Sequence, residues 1–541
     1  MATSLSVDEI ARRLSATLVE DPRSEWVETL SRAFEGEPEK LPDIFDSAHR
    51  ALIGGQRRRP RFTALVSMLV YPLETLAGEE NAGALSDPAL PERVRRQASE
   101  IVRDRRVPVR QAAVLLAQIG HARFRPGPEL EQAAVERLSG QLAELGVIAP
   151  GLQGAQEPEA FIDYLVARDD AGVAELSTEL VGGMFAFPAA VRIAAARTVL
   201  DANRPIGRAA ALAWLTDRDP EVREAVADAV HDRARAGRLD PATVRRLETL
   251  GPWAPEAEAE AIQSAAASAR TAGVTPEAPG SGTIRSAHVT GIDGSGLALV
   301  ILEVRRRNTW AIAGLTVVEG QGIRAAWQKP VSQRGDVDDL LAKAGSRDDL
   351  YTVDEPVIQA FLAQRLSEGR RNGYMPSFPL LDIAPIAGLS DLAPAGVAGP
   401  VRHADLDGSL DAASKGERAQ ADALRASASW PDSLRAIASW AVPLTQSGDH
   451  VAELMSADPD PAVDALGEAY RTPWADRLTW LAQFVRAQGA SADWPPYHLV
   501  AGALYSGRRM SEIPLARRLI LEPVTRALER LEATDDEDPA G

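Results

Sequence analysis

The 541-residue chain contains no cysteine. That absence excludes disulfide scaffolds, cysteine-ligated zinc fingers, cysteine-held iron–sulfur clusters and thiol nucleophiles together. Lysine is almost as scarce: Lys40, Lys329, Lys343 and Lys415 stand against a background of arginine. With the abundance of Ala, Gly and Pro, this resembles the coding bias of a GC-rich genome, so arginine richness by itself says little about nucleic acid. Positive charge is in deficit, since 59 Lys+Arg face 77 Asp+Glu for a net −18. Such acidity opposes the sequence-independent attraction to phosphates that nucleic-acid binding uses. No run approaches the roughly 18 apolar residues of a membrane span. Met1 is followed by neither a basic nor an apolar segment, so no secretory leader is expected. Composition at 45 % hydrophobic and 25 % charged reads as globular. The length suits about three or four domains.

Residues 7 to about 270 read as successive helices separated by breakers such as Gly54-Gly55, Pro126-Gly127-Pro128, Pro150-Gly151 and Gly182-Gly183. A short pattern repeats within them. Val-Arg, with a small or apolar residue four positions after the Val, occurs at Val94-Arg95…Ala98, Val109-Arg110…Ala113, Val191-Arg192…Ala195 and Val222-Arg223…Val226. Val94 and Val109 stand too close together for both to open full repeats, so one of the two is incidental. In the last copy, Asp219 is an apt N-cap and Pro220 an apt first helical residue, while Val222, Val226, Ala229 and Val230 share a face. Val222, Val226 and Trp214 are expected in the core. The arginine points sideways, toward a carboxylate of a neighbouring repeat. The stretch Asp219–Val230 resembles the second helix of a HEAT-type repeat, and the resemblance extends over residues 90–120 and 185–250. It implies an α-solenoid, whose extended surface suits binding.

Composition divides the rest. The expected organisation is a HEAT-like helical domain over 1–272, a linker at 273–283, a small α+β domain over 284–390, a second linker at 391–417, a helical C-terminal domain over 418–533 and an acidic tail at 534–541. The fold class is therefore mainly α with one small α+β module. In that module His288–Ile292, Leu297–Val304 and Trp310–Val318 predict a three-stranded antiparallel meander. Asp293-Gly294-Ser295-Gly296 and Arg305-Arg306-Arg307 are expected as turns at opposite ends of the sheet. Alternation gives the Ala298/Val300/Leu302/Val304 face to the helices near 337–369. Near the C-terminus, Thr472 reads as the N-cap of a helix with Pro473 at its first position and Trp474, Leu478, Leu481 and Val485 on one face.

Motifs for chemistry are scarce. No lysine is followed by Ser or Thr, so there is no P-loop. Gly320-Gln-Gly322-Ile-Arg-Ala325 matches a dinucleotide-binding spacing but lacks a βαβ context, and a helix after it would stop at Pro330. Asp405, Asp407, Ser409 and Asp411 imitate a calcium loop, with Leu410 where the turn glycine belongs and Gly416 where the bidentate Glu belongs. Asp293 with Glu303, Glu319 or Asp336 is a conceivable magnesium site, although turn chemistry explains Asp293 as well. The sequence assigns no catalytic residue, no cofactor and no metal ligand.

The arginine clusters remain: Arg57, Arg58, Arg59 and Arg61; Arg105, Arg106 and Arg110; and Arg305, Arg306 and Arg307. They form the expected interaction surface, with Trp310, Trp327 and Tyr374 close enough to the last group to stack on a ligand. The leading expectation is a cytoplasmic, non-enzymatic scaffold or adaptor that binds another protein, with nucleic acid an unlikely partner and no membrane span. Its rivals are a nucleic-acid-binding repeat protein and a metal-dependent enzyme with its site in 284–390.

Overall fold

The computed structural model describes residues 6–20, 30–31, 33–34, 36–53, 59–82, 85–122, 124–144, 173–201, 205–278, 282–306, 309–331, 335–347, 349–410, 416–442, 450–489 and 493–535. The breakers Gly54-Gly55 and Pro150-Gly151, the middle of the first expected linker, Asp411 and nearly all of the acidic tail lie outside them. Two compact units form: Met1–Thr243 with Ser268–Val274, and Val244–Ala267 with Thr275–Gly541. The protein is mostly helical with one small antiparallel sheet.

In the first unit the Val-Arg motif opens the helices Leu90–Arg103, Val109–His121, Ala189–Asp201 and Pro220–Arg235. Val94, Val191 and Val222 are buried, whereas Val109 at the first turn of its helix is half-buried. Trp214 and Val226 are fully buried with them. The motif's arginines reach across to other segments. Arg95 Nε donates to the Arg125 carbonyl (2.8 Å) and Nη2 to Glu80 (2.7 Å). Arg223 Nη1 donates to the Asp217 and Arg218 carbonyls at 2.9 and 3.2 Å. Arg192, with no exposed side-chain surface, lies 3.4 Å from Asp217 Oδ1 and hydrogen-bonds Asp219. Asp219 does stand at the N-cap position of Pro220–Arg235, but its side chain makes no capping bond. The carboxylate is turned to Arg192, because a buried guanidinium without a counter-charge is costlier than an uncapped helix start.

The second unit is built on a sheet of five strands rather than three: β1 Thr283–Thr290, β2 Leu297–Arg306, β3 Thr309–Val318, β4 Gly322–Val331 and β5 Leu350–Val353, in the order β4-β3-β2-β1-β5 and antiparallel throughout. The strand β4 occupies residues where the dinucleotide-like motif would have needed a helix. Its glycines serve the hairpin instead: Gly320 and Gly322 have φ of +71° and +84°, and a side chain at Gly322 would stand 3.0 Å from the Arg365 carbonyl. The Asp293–Gly296 segment is a turn joining β1 to β2. Asp293 Oδ1 accepts from the Ser295 amide (2.9 Å), the Ser295 hydroxyl (2.7 Å) and the Leu297 amide (2.8 Å). Pairing of Arg306 with Thr309 puts the β2–β3 connection at the opposite end; Arg307 lies outside the described residues.

Helices cover both faces, which corrects the expected assignment of one face to all the helices near 337–369. Ala298, Val300, Leu302 and Val304 share their face with Val289 and Tyr351 by register. Tyr351, Phe484 and Phe361 pack there in tilted and edge-to-face contacts, at centroid distances of 6.3 and 5.3 Å, which brings in the helices Glu355–Arg371 and Arg471–Ala487. The helix Gly335–Arg347 instead packs Val337, Leu340 and Leu341 on the other face, against Ile301, Ile312 and Val331. Glycine permits the close approach at the turn, since a Cβ at Gly294 would lie 1.9 Å from the Ser439 carbonyl.

The second expected linker carries a helix, Gly399–Asp407, with Arg402 buried and its guanidinium 4.0 Å above the Trp480 ring. Asp405 and Asp407 are therefore helical and do not trace a calcium loop. The helix expected to start at Thr472 begins at Arg471 with no side-chain cap; Trp474, Leu478 and Leu481 are buried as expected and Val485 is half-buried. No helix among the described residues is long and apolar enough to cross a membrane.

Replacing Arg192 by Met strands Asp217 in a buried site, where desolvation already raises its pKa. We expect a loss of about 3–5 kcal/mol in denaturant unfolding. Adding Asp217→Asn to that variant is expected to recover part of the loss, because the uncompensated charge is removed. Val226→Asp is expected to lower the melting temperature severely by burying an unpaired carboxylate.

Candidate functional site

The face of the sheet that carries Gly335–Arg347 is only partly covered by it. Register places side chains there in rows: Arg305, Trp310 and Val331; Glu303, Ile312 and Lys329; Ile301, Gly314 and Trp327; Leu299, Thr316 and Ala325. Ile301, Ile312 and Val331 are buried under the helix. Trp310 and Trp327 are not: they remain 36 % and 39 % exposed, and Lys329 and Ala325 between and beside them are exposed too. Tryptophan is usually among the more buried residue types, so two open indoles on one sheet face mark the surface as unusual.

Local sequence sets this geometry. Alternation along β4 puts Ala325, Trp327 and Lys329 on the same side, and antiparallel pairing brings them beside Trp310. Trp327 lies flat across Gly314, where a Cβ would sit 2.2 Å from the indole. The missing side chain is the seat of the ring. The guanidinium of Arg305 is 5.4 Å from the Trp310 ring centroid, a cation–π distance. The strand itself is an edge, yet Lys329 and Pro330 lie along it. Proline has no amide hydrogen and a charge resists strand addition, so this edge is protected against pairing with another strand.

The other expected surface residues are dispersed. Arg61 hydrogen-bonds Asp8 at 2.5 Å. Arg106 donates to Asp104 from Nε at 3.0 Å and from Nη2 at 2.7 Å, which holds that carboxyl far below the usual range. Arg105 is exposed beside it. Arg57 and Arg58 lie outside the described residues, as do the side chains of Arg59, Arg110 and Arg306. Tyr374, expected near Arg305, sits instead against Arg324, with 5.1 Å between guanidinium and ring centroid. Among the magnesium candidates, Asp293 is committed to its turn and Glu319 is bonded to Arg477 Nε at 2.8 Å. Sequence reading singled out Trp310 and Trp327 but missed Lys329 and Gly314. The alternation of Ala325, Trp327 and Lys329 is the available signal, masked by the glycine motif before it and by Pro330, which reads as a break.

The fold and this face define a mostly helical protein with one exposed aromatic and cationic sheet surface. Two stretches of the chain are similar to known domains. Residues 188–273 match the Y4lR second domain and residues 402–526 the Y4lR C-terminal helical domain. An uncharacterized protein, y4lR of Sinorhizobium fredii, is 24 % identical over 299 residues, covering 51 % of this chain and 56 % of the relative. The chain thus spans little more than half the length of the curated relative it matches. No solved structure matches it. Strands β1–β5 fall between the two matched stretches.

Gly314→Val is expected to drive the Trp327 indole off the sheet. Overpacking of this kind costs about 1–3 kcal/mol, and the checks are a lower unfolding midpoint and a red-shifted tryptophan emission relative to the parent protein.

Proposed function

We propose that this protein is a non-enzymatic scaffold or adaptor that grips an acidic, partly apolar segment of a protein partner on the exposed face of its sheet. The observation carrying this reading is the combination of exposed Trp310, Trp327 and Lys329 with half-buried Arg305 on one sheet face, in a chain where aromatic residues make up only 5 %. Rigid indoles supply contact area at low entropic cost, and the two cations select an acidic strand or loop. The helices of the first unit, with a Val-Arg pattern whose arginines reach other segments, support a HEAT-like repeat scaffold as the frame. We place the protein in the bacterial cytoplasm.

Nucleic acid is the weaker reading. Arg61, Arg95 and Arg106 are engaged with carboxylates, and the net charge of −18 opposes a phosphate backbone. An enzyme using Asp293 is weaker still, because one of its oxygens already accepts three hydrogen bonds.

Titration of the intrinsic tryptophan fluorescence separates these readings. Acidic peptides containing Leu and Phe are expected to shift the emission, with binding weakened by added salt. Trp327→Ala is expected to reduce their affinity at least tenfold. Tighter binding of oligo-dT than of every such peptide would overturn the assignment.

A further inference from the structure

A second cluster, unrelated to the sheet face, lies in the C-terminal helices. His403 and Asp407 are four residues apart on the helix Gly399–Asp407, so they share one of its faces. The facing helix Pro495–Tyr505 contributes His498. The two imidazoles stack with centroids 3.9 Å apart and planes inclined by 15°. His498 Nε2 is 2.7 Å from Asp407 Oδ1, and His403 Nε2 donates to the His498 carbonyl at 3.0 Å. One ligand atom from each of the three side chains lies within 4.8 Å of the others. Gly502, one turn beyond His498, makes room for this arrangement, since a Cβ there would stand 3.1 Å from His403 Nε2.

The hydrogen bonding of His498 is incomplete. The residue is 1 % exposed. With Nε2–H donating to the Asp407 carboxylate, Nδ1 is a buried lone pair, and it makes no hydrogen bond among the described residues. A metal shared with Asp407 would be bound by the Nε2 that faces this carboxylate, with the ring proton moved to Nδ1, so Nε2 and not Nδ1 is the ligand atom of His498. Asp407, with 57 % of its side chain exposed, has a second oxygen open to solvent and marks the way in for an ion.

We infer that His403, Asp407 and His498 form a binding site for zinc. Two imidazoles and a carboxylate on rigid helices match the borderline ligand preference of that ion, and three protein ligands leave its fourth position for water or a partner's side chain. Zinc bonds of about 2.0–2.2 Å hold tetrahedral ligand atoms about 3.4 Å apart. His403 can close that distance by releasing the His498 carbonyl, because it is only half-buried. Magnesium and calcium, which favour oxygen ligands, are not expected to compete.

The test is calorimetric titration of the full chain with zinc, paired with cobalt substitution read by visible absorption. One equivalent of zinc, a rise in melting temperature reversed by chelator, and the intense cobalt bands of four-coordination are expected. His403→Ala and Asp407→Asn, at a half-buried and an exposed position, are each expected to weaken binding at least tenfold while melting cooperatively without metal. His450→Ala is the control, because His450 forms only an exposed i,i+3 pair with Glu453, and its variant is expected to bind like the parent. Failure to take up one equivalent at micromolar zinc would overturn the site, as would undiminished uptake in either His403→Ala or Asp407→Asn.

Discussion

The half-buried carboxylate of Glu319 ties the sheet to the helices around it. It sits at the β3–β4 turn, 2.8 Å from Arg477 Nε and 3.9 Å from Arg365 Nη1. Burial pushes its pKa up, and the two guanidiniums oppose that rise. Around it the turns are fixed by their own bonds. The Gly320 amide donates to Glu368 at 3.1 Å, and Arg365 donates to the same Glu368 oxygen at 2.7 Å. The Glu319 amide donates to the Gly296 carbonyl at 2.9 Å, so the β1–β2 turn is held by the same cluster. Arg365 belongs to Glu355–Arg371 and Arg477 to Arg471–Ala487. A single acidic side chain therefore sets how two helices meet one end of the sheet. Removing any member would leave the others charged and desolvated, which is why such clusters tolerate substitution poorly.

The same economy governs the first unit, where buried Arg192 meets buried Asp217 and the more exposed Asp219. Buried arginines are expensive unless every charge is matched, and here the matches come from the segment before the next helix. This has a functional consequence. Arginines that look in the sequence like a cationic binding surface are partly consumed in holding helices together. Lys329, exposed beside Trp327, gains weight as part of a recognition surface because several of the other cations are internally paired.

The sheet face and the histidine cluster illustrate two ways of making a site. The first is local: alternation along β4 and a glycine in β3 align two indoles and a lysine within neighbouring strands. The second is remote, with His403 and His498 separated by most of the C-terminal helical region. The sheet is sandwiched, so only the rim of one face stays open, and it is this partial cover by Gly335–Arg347 that turns ordinary strand alternation into a defined patch. Both sites share a dependence on glycine. Gly314 and Gly502 contribute no side chain, and the space they leave is occupied by Trp327 and His403.

Much of this molecule follows from the sequence alone. Helical periodicity fixed the burial of Trp214, Val222 and Val226, and turn chemistry fixed the hairpin at Asp293–Gly296, because both depend on residues within a few positions of one another. The arginine of the Asp219–Val230 copy was expected to reach a neighbouring carboxylate; Arg223 instead donates to the Asp217 and Arg218 carbonyls, and it is Arg192 that meets carboxylates. What tertiary structure decided involves partners far apart in the chain. β4 was hidden because Pro330 and paired glycines read locally as a turn and a break, and pairing with β3 outweighs that preference. β5 is four residues long and gains its strand character only by joining β1. Asp407 was visible as part of a failed calcium pattern and His403 as its neighbour. Their chemistry became apparent only when packing brought in His498, since coordination is a property of distance in space, which spacing along a chain encodes only within a single helix or strand.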